Sequence, residues 1–195
     1  METVADIVKF IHILGMVFMA APLYSLIVVN ERARFSGSMI YKVDRYMENV
    51  IKGQSLRCYV FQLTVLATGV LLVYLIGLGL SSILFNWVLA AKTILLLLLM
   101  ALLSVVHFSI QPNIENLLDQ VEEDPIPQNI AARISTLRLK RKKLASFCLL
   151  ILITIVILGL QVFSRFTPIL TVSLVILAAI FSWRVYKSPI RFGWI

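Results

Sequence analysis

Residues 87–107 read WVLAAKTILLLLLMALLSVVH. As a helix this run is roughly 30 Å long, enough to cross the hydrocarbon core of a bilayer. A segment this apolar has one favourable way to satisfy its backbone polar groups away from water, which is helical hydrogen bonding within itself. It also contains an intramembrane lysine, Lys92, and one of the chain's two histidines, His107.

The rest of the sequence repeats the pattern. The 195 residues are 60% hydrophobic and 14% charged, with a mean hydropathy of +0.94. That composition excludes an ordinary soluble domain. Alternating ten-residue segments, the mark of a membrane barrel, are absent. The expected fold is all-α: one polytopic transmembrane helical bundle, residues 1–195, with about five spans. Apolar runs place the spans at about 7–29, 58–80, 87–110, 144–163 and 169–186. The first is read as a retained helix, because Glu2 and Asp6 replace the basic leader of a signal peptide and the run is too long. Pro22 should bend it, and Pro168 suits the first turn of the last span.

Two polar connections interrupt the spans. Within 30–57, Ile40, Val43, Met47, Val50 and Ile51 recur at helical spacing, with Lys42, Arg45, Glu48 and Lys52 on other faces. This predicts a short amphipathic helix on the membrane surface or against a partner subunit. Residues 111–143 are acidic before the Asp124–Pro127 break (Glu115, Asp119, Glu122, Glu123, Asp124) and basic after it. A helical hairpin follows, on the cytoplasmic side, with Asp119 opposite Arg133 and Glu115 opposite Arg138.

Fifteen of the eighteen basic residues fall beside one end of the spans; Lys9, Lys92 and Arg165 lie on or nearer the other. The positive-inside rule puts the N-terminus outside and the C-terminus in the cytoplasm, in the cell's inner (plasma) membrane. The net charge of +8 is accordingly assigned to topology and anionic lipid, with no nucleic-acid partner. Expected partners are the bilayer and other membrane subunits or further copies of this chain. Cys58 and Cys148 lack metal-ligand spacing and read as packing residues.

Few residues can carry chemistry. An ionisable group within a span is a candidate site by default. His12 in the first span and Lys92 in the third fall at similar depth, since both spans run the same way. Lys92 snorkelling to the interface, and a simple interhelical hydrogen bond from His12, are the plain alternatives. His12, Met16, Met19 and Leu23 share a stripe, so Met16 is either packing or a neighbouring ligand. Thr93, Ser104 and His107 share a sector of the third span. His107 lies fifteen residues beyond Lys92, about 22 Å along a helix. It therefore cannot complete a bis-histidine iron site with His12, and would bind a cofactor only with another chain. No nucleotide, nucleophile or zinc motif is present.

Phe10-Ile11-His12-Ile13-Leu14-Gly15 in the first span, with Trp87 and Lys92 opening the third, resembles the HemJ-like membrane family, whose wider group includes the copper-resistance D proteins. The resemblance extends through the third span. It implies a small helical membrane protein associated with protoporphyrinogen oxidation and b-type haem. It also implies that His12 and Lys92 act at the haem, His12 as a ligand of the iron and Lys92 as a second ligand or the partner of a propionate.

Two functional expectations follow. One is a membrane redox protein binding haem b, with quinone as the alternative cofactor, acting as an electron-transfer subunit or a haem-dependent oxidoreductase. The other is a cofactor-free accessory subunit that scaffolds a respiratory or photosynthetic complex. A copper or small-solute transporter is the lowest-ranked alternative, since neither inverted repeats nor a polar midplane site is evident.

Overall fold

The computed structural model describes residues 2–34, 39–121, 124–162 and 166–188. Glu122, Glu123, Phe163, Arg165 and Arg191 lie outside the described residues. The order is α1 (Glu2–Asn30), a 3-10 turn (Glu31–Arg34), α2 (Tyr41–Leu75), α3 (Ser82–Phe85), α4 (Trp87–Val105), a π-helical turn (Val106–Ile110), α5 (Gln111–Leu118), α6 (Gln128–Leu160) and α7 (Pro168–Lys187). Among the described residues there is no strand. Five helical segments are long and apolar enough to cross a membrane, so the chain is a multi-pass helical membrane protein.

Local chemistry sets the boundaries. Pro168 opens α7, with the Thr167 hydroxyl accepting from the Leu170 N–H. Asn86 caps α4 by accepting from the N–H groups of Val88 and Leu89. The second apolar run stops being helical after Leu75, where Gly77 and Gly79 take positive φ angles that a side chain would strain. Pro22 sits inside α1, which continues as a helix on both sides of it.

α6 is the central element, packed against α1, α4 and α7, while α1 makes its largest contact with α2. Gly15 is what allows that closeness: a Cβ there would lie 3.0 Å from Val65 Cγ2. Met19, Val65, Leu99, Cys148 and Leu152 belong to one buried cluster, and Ile27, Ile51, Ile114, Ile134 and Leu149 to a second. Large apolar side chains such as Ile94, Ile169 and Trp183 are exposed, as a lipid-facing surface requires.

The polar connections differ from the sequence expectation. Residues 41–57 form no separate surface helix; they are the first half of α2, continuous with the second span. The inward face there is mixed, since Asp44, Glu48 and Ile51 are buried while Ile40 and Val43 are exposed. The apolar spacing was real, but the decisive partners are cations on α6. The hairpin pairs also change. Asp119 bonds Arg45 and Glu115 bonds Lys52, both on α2, while Arg138 goes to Asp44 and Glu48. α5 thus directs its acids toward α2 rather than toward α6. The segment after it is tied down too: Asp124 accepts from the Tyr41 N–H, and Ile126 N–H donates to the Met39 carbonyl.

Candidate functional site: a histidine and a lysine at one end, an ion cluster at the other

The His12 ring lies against the last turns of α2. Its Nδ1 is 2.9 Å from Thr68 Oγ1. The Thr68 hydroxyl proton is already used, with Oγ1 lying 2.6 Å from the Thr64 carbonyl and 3.2 Å from that of Val65. Oγ1 can therefore only accept from the ring. This fixes the proton on Nδ1 and leaves the Nε2 lone pair for another partner. Gly69 makes room for the ring, because a Cβ there would stand 3.3 Å from His12 Cε1.

Lys92 is held in the same way by a small residue. A Cβ on Gly159 of α6 would be 3.5 Å from Lys92 Nζ. Both glycines are near the C-terminal ends of their helices, so His12 and Lys92 belong to one end of the bundle. Met16 is half-buried against the cluster containing Met19, which is a packing role.

His107 lies elsewhere. It is in the π-helical turn, edge-on to Tyr59 and Phe108 with ring centroids 6.0 and 4.8 Å away. Its Nδ1 is buried without a hydrogen-bond partner among the described residues. Tyr59 also shares a 2.7 Å hydrogen bond with Ser104, while Thr93 bonds back to its own helix at Leu89. With α2 as a ruler, Tyr59 and Thr68 are nine residues apart, about 14 Å along the axis. Ligands on one iron must approach within a few ångströms of each other, so the two histidines do not share a metal in this chain.

The sequence reading missed the largest polar structure. At the end opposite His12, Arg138, Arg141 and Lys142 of α6 are fully buried. Arg138 bonds Asp44 and Glu48; Arg141 bonds Glu48, Asn30 and Gln111; Lys142 bonds Glu31 at 3.1 Å. Arg32 adds a two-pronged pair to Asp44 at 2.8 and 3.0 Å. Three carboxylates thus face four cations, supplied by the 3-10 turn, the start of α2 and α6, with the Asn30 and Gln111 amides from α1 and α5 completing the set. A buried charge is tolerable only when it is paired and hydrogen-bonded, and here nearly every donor has an acceptor. The signal was present as Asp44 and Glu48 at i, i+4 and Arg138 and Arg141 at i, i+3. Each pair occupies one helical face.

Comparison with protein-family models, with curated proteins and with solved structures gives no match to this chain. Its function must therefore be argued from these groups. Among the described residues no cluster of three or more His, Cys, Asp or Glu side chains could hold a metal ion. Between the two polar ends lies an interior cavity of about 30 Å³, whose lining includes Gln62, Ser55, Cys58 and Cys148. Gln62 is buried and its Oε1 has no partner among the described residues.

Proposed function

We propose that the protein is a small integral membrane redox protein that binds a b-type haem through His12 and works as a subunit of an electron-transfer complex. The observation that carries this reading is the His12–Thr68 bond. It presents a neutral imidazole, oriented by its Nδ1–H, with Nε2 available, which is how a protein prepares an axial histidine. The donor set therefore fits the group that the first-span and third-span motifs imply. Lys92 would be the opposite ligand or the partner of a haem propionate, and only an uncharged lysine serves as a ligand. When bound, the haem supplies one-electron chemistry; the chain orients the ligand and keeps water away. In this reading His12 and Lys92 occupy the outer half of the membrane, the ion cluster faces the cytoplasm and the N-terminus is outside.

A second reading is a cofactor-free scaffold subunit. It is favoured by the buried ion cluster, a large polar structure that ties distant parts of the chain together through protein groups alone.

An absorption spectrum of the purified protein separates the two. Haem binding predicts a Soret band with reducible α and β bands, lost in His12→Ala and kept in His107→Ala. As an iron ligand, Lys92 replaced by Met should alter spin state or midpoint potential. As a propionate partner, Lys92 replaced by Arg should leave the spectrum nearly intact. A haem-free protein leaves the scaffold reading, and a spectrum abolished by His107→Ala alone points to a haem shared with another chain.

A further inference from the structure

Arg133 is the residue that the sequence pattern assigned to Asp119. In the structure Arg45 takes Asp119 at 2.7 Å, and Arg133 has no ion-pair or hydrogen-bond partner among the described residues. It lines a groove of about 490 Å³ between α5 and α6. Asn113 and Asn116 of α5, Gln120 of the turn after it and Thr136 of α6 supply the other polar groups of the wall, and Leu117 and Leu137 its apolar part. Among the described residues no carboxylate lines it. The nearest acids along α5 are engaged elsewhere, Glu115 by Lys52 and Asp119 by Arg45.

These features select a ligand class. The volume is that of a small-molecule site. One guanidinium, without an acidic partner among the described residues, supplies charge and a planar fork of donors suited to phosphate oxygens. Three carboxamides and a hydroxyl can donate to the same oxygens without adding negative charge. The groove starts within a turn of the end of the third apolar segment and runs away from it along α5. It therefore extends from the headgroup layer into water.

We propose that this groove binds a phosphate-bearing anion, with Arg133 as its charged anchor and the Asn113, Asn116 and Gln120 carboxamides as its orienting donors. The chemistry is shared by an acidic phospholipid headgroup and a soluble phosphate compound. The proposal is independent of any haem.

The test uses the intact protein and three variants: Arg133→Gln, Arg133→Lys and, as a control away from the groove, Lys140→Gln. Arg133 is exposed, so its replacement should leave the melting temperature unchanged. Pyrophosphate titrated into detergent-solubilised protein reads soluble binding. Retention of phosphatidic acid against phosphatidylcholine from mixed nanodiscs, followed by native mass spectrometry, reads headgroup binding. Loss of a charge-assisted bond predicts an approximately tenfold weakening in Arg133→Gln, partial recovery in Arg133→Lys and little change in Lys140→Gln. Pyrophosphate binding with this pattern identifies a soluble ligand. The pattern in lipid retention alone identifies a headgroup. The proposal is overturned if the wild type binds neither probe, or if Arg133→Gln and Lys140→Gln behave alike in both assays.

Discussion

Glu48 and Arg141 form a two-pronged ion pair across the α2–α6 interface, with Nη1 2.7 Å from Oε2 and Nη2 2.9 Å from Oε1. The same carboxylate receives Arg138 Nε at 2.9 Å. One buried acid thus answers two buried guanidinium groups. Removing it leaves Arg141 with only the uncharged Asn30 and Gln111, and Arg138 with Asp44 alone, and leaving a buried charge unpaired costs about 3–5 kcal/mol. Glu48→Gln should therefore lower stability by that order, read as a shift in thermal or denaturant unfolding in detergent. Lys52→Ala, which removes an exposed pair with Glu115, should cost less than about 1 kcal/mol. Equal losses in the two variants would mean that the cluster adds nothing beyond surface pairing.

Thr68→Val keeps the size of the side chain and removes the oxygen that accepts from His12 Nδ1. A ligand without its outer partner typically binds roughly 10–100-fold more weakly. If His12 holds haem, Thr68→Val should weaken haem retention on that scale in a competition with apomyoglobin, with the protein still folded. Unchanged retention would mean that Thr68 does not orient a ligand.

The glycines divide by what surrounds them. At Gly15 an added methyl meets Val65 in a tightly packed interface, and overpacking costs about 1–3 kcal/mol. Gly53 lies within α2 with nothing inside 4 Å of an added Cβ. There the helix gains, and Gly53→Ala should stabilise by about 0.5–1 kcal/mol. Opposite signs in the two unfolding curves are expected; a stabilising Gly15→Ala would contradict the close approach of α1 and α2.

Labelling tests sidedness. Cys58 and Cys148 are buried, so native protein should take up little maleimide. A cysteine introduced at Gln120, which lines the open groove, should react only once the cytoplasmic face is opened. Reaction from outside intact cells would invert the proposed orientation.

Much of the architecture was readable because hydrophobic run length is a strong signal in a membrane. Residues 87–107 and the Thr167–Pro168 start of the last helix needed no tertiary information. The ion cluster did, because Asp44 and Arg138 are 94 residues apart in sequence and each looks solvated beside its neighbours. Arg138, Arg141 and Lys142 sit in a run with Lys140 and Lys143, which masks the fact that one side of the helix turns inward. His12 and Lys92 stood out because an isolated ionisable group in an apolar run has few explanations. Thr68 did not, since a threonine in a span is ordinary until a ring is seen against it.

The π-helical turn at Val106–Ile110 works as a phase shifter. Its closing bond, from the Gln111 N–H to the Val106 carbonyl, holds one residue more than an α-helical turn would. That residue advances everything after it by about 100° around the axis. The side of α4 that Leu96, Leu99 and Leu103 turn into the bundle and the side of α5 that Gln111 turns toward Glu48 are thereby set independently of each other. Deleting one residue from the turn would keep both helices and their composition. It would also swing Gln111, Glu115 and Asp119 away from α2 together, so the join between span and extramembrane arm is carried by a count of residues rather than by any one side chain.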